Sequence, residues 1–344
     1  MPDREQGHEE RAEQPAFDPS LLIDVAHEFL FDGQPTLTQR EVAERAGVDL
    51  EDANELWRYL GFSVVGDDKV AFSEADVEAI RVTRRLTELG VVSPETIPQF
   101  VRSVGRSFSR LADWQVRVLL SSIAEEVDEG EAPPLDVVSE VIPMVEQVQA
   151  YVWRRHLLAA ASRIAMRTAS AEASGPTVVG FVDIVGYTSR SRQMSTRDLA
   201  ELVDHFEGAV TSLVVDAGGQ VVKTIGDEVL FMVEDPERAA EVALAMVDLG
   251  EDEDDLFPQV RVGLAHGPVL ARLGDVFGPT VNIASRLTSV SRPGRVLVGG
   301  ELAELLREAD EGRDQQRYRL RRTRRISVKG YENLDSWSLK RARG

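Results

Sequence analysis

With 344 residues, 43% of them hydrophobic and 28% charged, the chain has the composition of a globular protein of two ordinary domains or one large one. The absence of cysteine excludes disulfides, thiolate metal sites and a cysteine nucleophile. The net charge of −20 opposes binding to nucleic acid and anionic lipid, so a polyanionic ligand needs a local cluster of cations or metal ions.

The N-terminal residues 1–18 are polar and charged, which predicts a mobile tail. No apolar run approaches the roughly 20 residues of a membrane span, and the first residues lack the apolar core of a signal peptide. We therefore expect a cytoplasmic protein with no membrane association.

Residues 19–135 show apolar residues three and four apart, which predicts an all-α domain whose helices end at Gly47, Gly61 and Gly90. The stretch "LTQREVAERAGVDLEDANELWRYLGF" resembles the helix-turn-helix of small winged DNA-binding domains. Its second helix opens with three acids, at positions 49, 51 and 52, which would face phosphates with the wrong sign. A helical interaction module is therefore favoured, and nucleic acid is an unlikely partner.

Residues 136–172 predict a long linker helix after the linker-like "DEGEAPPLD" at 128–136. His156 lies in this helix beside two arginines and is a candidate regulatory residue, because histidine changes charge near physiological pH. A histidine that is merely packed or solvated fits the pattern equally well.

Residues 173–344 change pattern and predict an α+β domain. Strand, helix, hairpin, helix and strand follow one another in the ferredoxin-like order β-α-β-β-α-β, which packs two helices on one face of an antiparallel sheet. Further C-terminal strands and helices extend this core.

Two aspartates stand where this sheet would place them together. Asp183 interrupts the apolar strand "FVDIVGYT", and Asp227 follows Gly226 in the turn of "VVKTIGDEVLF". A buried carboxylate must be paired, hydrogen-bonded or bound to metal, and two convergent carboxylates suit Mg²⁺ or Mn²⁺ when phosphates complete the shell. The simpler interpretation of the second stretch is a hairpin with a solvated Lys223.

Four motifs, "FVDIVGYT", "VVKTIGDEVLF", "GDVFGPTVNIASRL" and "SVKGY", resemble in order and spacing those of the class III nucleotide cyclases, which make cyclic AMP or cyclic GMP. The similarity covers residues 177–340, about half of the chain. The whole layout is similar to the actinobacterial, pH-responsive cyclases in which an N-terminal domain inhibits the catalytic domain.

The resemblance implies a role for each matching residue. The metal ligands, for two Mg²⁺ or Mn²⁺ ions per active site, would be Asp183, Asp227 and the Ile184 carbonyl. The other implied roles are purine recognition for Lys223 and Asp275, ribose orientation for Asn282, transition-state stabilisation for Arg286, and triphosphate binding for Lys329 and, more loosely, Arg272. His205 and His266 match no motif and are expected to be structural.

Lysine and aspartate together fit adenine rather than guanine. Adenine presents an acceptor at N1 and a donor at its 6-amino group, which an ammonium and a carboxylate satisfy, whereas guanine presents the reverse. The expected reaction is attack of the ribose 3′-oxygen of ATP on the α-phosphate, with loss of pyrophosphate. The family places its sites between two catalytic domains, so this chain is expected to form a homodimer.

Two other functions remain open from the sequence. The C-terminal domain could keep the cyclase fold but act as a catalytically silent nucleotide-binding regulator, or the helix-turn-helix-like stretch could bind DNA. An apolar ligand of the helical domain, such as a fatty acid, is neither supported nor excluded.

Overall fold

A computed structural model describes residues 27–28, 30–31, 33–63, 65–90, 92–126, 135–169, 175–252, 255–272, 274–323, 326–328 and 331–342. The chain divides into two compact units, Met1–Ala160 and Ala161–Gly344. The predicted tail at 1–18 and nearly all of the predicted linker at 128–136 lie outside the described residues.

The first unit is mainly helical. Its elements are β1 (Leu37–Thr38), α1 (Gln39–Ala46), α2 (Leu50–Leu60), β2 (Val70–Phe72), α3 (Glu74–Glu88), α4 (Ile97–Glu126) and the first part of α5 (Leu135–Ala169). Strands β1 and β2 pair antiparallel, which adds a short two-stranded sheet to the helices that the sequence predicts. A small core of buried side chains from α1, α2 and α3, among them Val42, Trp57 and Ile80, holds these elements together.

Local sequence sets the ends of these helices. Thr38 and Glu41 form a capping box at the start of α1, where each side chain satisfies a backbone N–H of the other residue. The predicted ends at Gly47 and Gly61 are confirmed, because each glycine closes its helix in the left-handed conformation. The long helix α5 begins at Leu135 and contains Pro143. None of the described helices is both long enough and apolar enough to span a bilayer.

The second unit is an α+β domain. Its helices are α6 (Tyr187–Arg190), α7 (Thr196–Asp216), α8 (Pro236–Glu251), α9 (Pro279–Val290) and α10 (Gly300–Asp310). Its strands are β3 (Thr177–Ile184), β4 (Gln220–Ile225), β5 (Glu228–Val233), β6 (Val260–Gly267), β7 (Leu270–Arg272), β8 (Asp275–Phe277), β9 (Arg295–Gly299), β10 (Tyr318–Arg322), β11 (Ile326–Val328), β12 (Tyr331–Leu334) and β13 (Ser336–Arg341).

Seven of these strands form one sheet in the order β10-β13-β9-β6-β3-β5-β4. The part β6-β3-β5-β4 is antiparallel throughout and is the predicted ferredoxin-like core. Strand β9 then joins β6 in parallel, and β13 and β10 extend that edge as the additional C-terminal strands. The predicted fold class is therefore confirmed.

Helices cover both faces of the sheet. One core lies between the sheet and α7, α8 and α10, with Phe206, Met246 and Leu302 fully buried in it. The opposite face carries α9, whose Ala284 packs on Val179 and Phe181 of β3. Odd-numbered residues of β3 therefore face α9, and Asp183 is one of them.

Candidate active site

Asp183 and Asp227 meet at one end of the sheet. All eight residues of β3 are buried, including Asp183 at 8% exposure. The β4–β5 turn places Asp227 beside the end of β3, because the Ile184 amide donates to the Asp227 carbonyl at 3.2 Å. Gly226 permits this tight turn through its positive φ of 67°. The register pairs Asp183 with Glu228, so a third carboxylate adjoins the first two.

The electrostatics of this cluster reflect burial and like charge. Burial raises the pKa of the Asp183 carboxyl, Arg261 lowers it, and the neighbouring Asp227 carboxylate raises it again, so the net shift is upward. Burial and then repulsion from Asp183 and Asp227 raise the pKa of Glu228 to about 7, against the opposing charge of Arg261. A cation at this end of the sheet would relieve that repulsion.

The donor set fits Mg²⁺ or Mn²⁺ better than a softer metal. The described residues hold no cluster of three or more His, Cys, Asp or Glu side chains with metal-binding geometry. Two carboxylates and the main-chain carbonyl of the buried Ile184 are hard oxygen ligands, and such a partial shell is typical of ions that substrate phosphates and water complete.

Arg261 is a neighbour of Asp183 that the motifs did not indicate. The β3–β6 register sets the two residues directly opposite each other. Both Nε and Nη2 of Arg261 lie 2.5 Å from Oδ2 of Asp183. The sequence shows only an arginine alternating with valines in "QVRVGL", so this pairing follows from the register and not from any local signal.

Lys223 and Asp275 form a second pair. Lys223 on β4 donates from Nζ to Oδ2 of Asp275, the first residue of β8, at 2.5 Å. The two side chains are 37% and 28% exposed, so the pair remains open to a ligand. Burial raises the pKa of Asp275, but hydrogen bonds from Lys223 and from the Val276 amide outweigh it and bring the pKa below its usual value.

Asn282 and Arg286 lie one turn apart on α9, with Asn282 exposed and Arg286 half-buried. Among the residues that the structure describes, no hydrogen bond or ion pair joins either side chain to the Asp183–Arg261 pair or to the Lys223–Asp275 pair. Arg272 is exposed at the end of β7, opposite Asp275.

The other residues that the sequence singled out are three histidines and one lysine. His156 is exposed on α5, and Lys329 lies outside the described residues. His205 and His266 each adjoin a carboxylate, with 3.1 Å between His205 Nε2 and Asp255 Oδ1 and 2.9 Å between His266 Nδ1 and Glu301 Oε1. Neither carboxylate belongs to the acidic cluster at Asp183.

Comparison with known families matches both halves of the chain. The adenylate and guanylate cyclase catalytic domain matches residues 169–341, and the adenylate cyclase regulatory domain matches residues 7–149.

Known relatives span most of the chain. An adenylate cyclase of Glutamicibacter nicotianae is 36% identical, over 96% of this chain and 86% of its own length. One of Streptomyces coelicolor is 41% identical, over 79% of this chain and 72% of its own. A pH-sensitive adenylate cyclase of Mycobacterium tuberculosis is 33% identical, over 86% of this chain and 76% of its own.

Proposed function

The chain belongs to the adenylate and guanylate cyclase family and is an adenylate cyclase with a regulatory domain ahead of its catalytic domain, and from that premise we propose how it acts. It converts ATP to 3′,5′-cyclic AMP and pyrophosphate by in-line attack of the ribose 3′-oxygen on the α-phosphate. The reaction takes place in composite sites of a homodimer, under control of the N-terminal domain.

The observation that carries the choice of ATP is the contact between Lys223 and Asp275. Its ammonium and carboxylate lie side by side, so one purine edge can meet both. The ammonium donates to adenine N1 and the carboxylate accepts from the 6-amino group. Guanine would leave both charged groups wrongly paired. A pocket that recognises its substrate through buried hydrogen bonds can prefer the matching purine by about 10⁴-fold.

Asp183, Asp227 and the Ile184 carbonyl would hold Mg²⁺ or Mn²⁺, two ions per site in the family's mechanism. Such ions lower the pKa of a hydroxyl nucleophile and neutralise charge on the leaving phosphates. The support in this chain is that burial, and then repulsion from the Asp227 carboxylate, raise the pKa of Asp183 against the opposing charge of Arg261. A bound cation would relieve that repulsion.

The remaining residues position the substrate. Asn282 orients the ribose, and Arg286, one turn further along α9, stabilises the charge that develops on the reacting phosphate. Lys329 binds the triphosphate, with Arg272 as a further candidate. None of these steps needs a histidine or serine nucleophile.

A homodimer accounts for the separation, within one chain, of the Lys223–Asp275 pair from the Asp183–Asp227 pair. Lys223 and Asp227 are four residues apart on the same hairpin, yet Lys223 contacts Asp275 and Asp227 adjoins Asp183. A two-fold axis would bring the carboxylates of one chain to the purine pair and α9 of the other, giving two equivalent sites.

We expect the N-terminal domain to regulate activity by changing how the two catalytic domains of the dimer are held together. One relative, which matches 86% of this chain, is a pH-sensitive adenylate cyclase. His156 is exposed on α5, the helix within which the first unit ends. We expect His156→Gln to flatten the dependence of activity on pH, because glutamine keeps a polar side chain of similar size but has no ionisable group. His205→Gln is the matched control, because His205 matches none of the family motifs and its substitution should leave the pH profile of the wild type. A His156→Gln profile that overlays the wild type would remove this residue from the switch.

Incubation of the full chain with ATP and Mn²⁺ or Mg²⁺ tests the activity itself. We expect cyclic AMP from the wild type and a loss of about 10²-fold or more in Asp227→Asn, since the metal carboxylate stabilises the transition state. Asp216→Asn, at the exposed end of α7, should leave the rate unchanged. Equal rates for Asp227→Asn and the wild type would contradict the assignment of the metal site.

A further inference from the structure

Arg261 connects the acidic cluster to helix α9. Its Nε and Nη2 both lie 2.5 Å from Oδ2 of Asp183, while Nη1 donates to the carbonyl oxygen of Ser289 at 3.3 Å. The guanidinium is therefore shared between the carboxylate on β3 and the last turn of α9. Both Arg contacts to Asp183 use Oδ2, which leaves Oδ1 to face other partners.

The Ser289 carbonyl needs a donor from outside its helix. In a continuing helix it would accept from the residue four positions later, but that residue is Pro293, which has no N–H. A cation at this position also faces the negative end of the helix dipole. Arg261 thus supplies both the missing hydrogen bond and the favourable charge.

The close packing of α9 on β6 fixes this geometry. A Cβ on Gly263 would lie 2.3 Å from the Thr288 nitrogen, so only glycine lets the helix lie this near to the strand. Thr288 Oγ1 also donates to the carbonyl of Phe181 at 3.2 Å, which ties the same turn of α9 to β3. Arg261, two residues before Gly263, therefore faces the end of α9.

We propose that Arg261 is a positioning residue that couples cation binding at Asp183 to the last turn of α9 in the same subunit. The inference rests on the proposed function, in which Asp183 serves one composite site while Asn282 and Arg286 on α9 serve the other. Arg261 is then a physical connection between the two active sites of the dimer.

The direction of the coupling follows from charge. A divalent cation bound at Asp183 would compete with Arg261 for the carboxylate and would repel the guanidinium, so Arg261 would shift its hydrogen bonding toward the Ser289 carbonyl. That shift strengthens the cap on α9 and slows the opening of its last turn. Lysine keeps the charge but not the planar fork, so it cannot contact both partners in this way.

Hydrogen exchange of the full chain with Mn²⁺ alone tests the coupling. Mn²⁺ should slow exchange of the backbone amides of residues 287–291 by about threefold in the wild type, the size expected of a charge at a helix end. Arg261→Lys should still bind Mn²⁺ but lose this response. Arg295→Lys is the matched control: Arg295 lies directly beside Arg261 in the register, and its side chain makes no hydrogen bond or ion pair within the described part of the chain.

Asp183→Asn provides a second variant that does not depend on the folding of Arg261→Lys. Removing the carboxylate charge should itself slow exchange at residues 287–291, with no further effect of Mn²⁺. Exchange that is unchanged in Asp183→Asn, or a Mn²⁺ response that persists in Arg261→Lys, would overturn the inference.

Mn²⁺ binding measured by electron paramagnetic resonance separates this inference from the proposed function. Binding that is present in the wild type and lost in Asp183→Asn supports the metal site, and an unresponsive α9 then overturns the coupling alone. An absence of Mn²⁺ binding in the wild type overturns the coupling, and formation of cyclic AMP from ATP and Mn²⁺ then decides whether the proposed function stands.

Discussion

Mixing two inactive variants of the chain should restore activity. Asp183→Asn removes a metal carboxylate and Asn282→Ala removes the ribose contact, so each variant alone should lose about 10²-fold or more of the wild-type rate. In a heterodimer, one composite site receives both lesions and the other receives neither. Equal mixing makes half of the dimers mixed, so activity should recover to about a quarter of the wild type.

The two substitutions are chosen to preserve the fold. Asparagine has nearly the shape of Asp183 and can still accept from Arg261, and Asn282 is exposed. The control is a mixture of Asp183→Asn with Asp227→Asn. Both substitutions remove a metal carboxylate, so each of the two sites in a mixed dimer lacks one of its metal ligands and no site is intact. Recovery in the control, or none in the test mixture, would contradict the composite site.

Lys223→Met should remove most of the preference for ATP. The ammonium is the donor to adenine N1 in the proposed pocket, and its loss also leaves Asp275 without its partner at 2.5 Å. A site that reads a substrate by hydrogen bonds loses much of its discrimination when one of them is removed, so the ratio of kcat/KM for ATP over GTP should fall by about 10²-fold or more.

Lys340→Met is the matched control for this prediction, because Lys340 is an exposed strand lysine of the same unit. The ratio should be unchanged in that variant. A Lys223→Met enzyme with the wild-type ratio would show that the purine is recognised elsewhere.

Local patterns predicted much of the fold. The alternation of helix and strand in the C-terminal half gave the ferredoxin-like core, because each element carries its own periodicity and end signals. Gly47 and Gly61 end their helices as predicted. The short β1–β2 sheet was missed, since two or three residues per strand carry no readable alternation.

The candidate site shows where such prediction stops. The family motifs indicated Asp183, Asp227, Lys223 and Asp275, and the structure brings each of these two pairs together. Arg261 and Glu228 were assigned no role, because their approach to Asp183 depends on the register of β3 with its two neighbouring strands. Register is a tertiary property, so no spacing along the chain reveals it.

The products of ATP turnover test the central claim most directly. The full chain, given ATP with Mn²⁺ or Mg²⁺ at acidic and neutral pH, should release cyclic AMP and pyrophosphate in equal amounts, because the 3′-oxygen displaces pyrophosphate from the α-phosphate. ADP and phosphate as the products, or no cyclic AMP under any of these conditions, would contradict it.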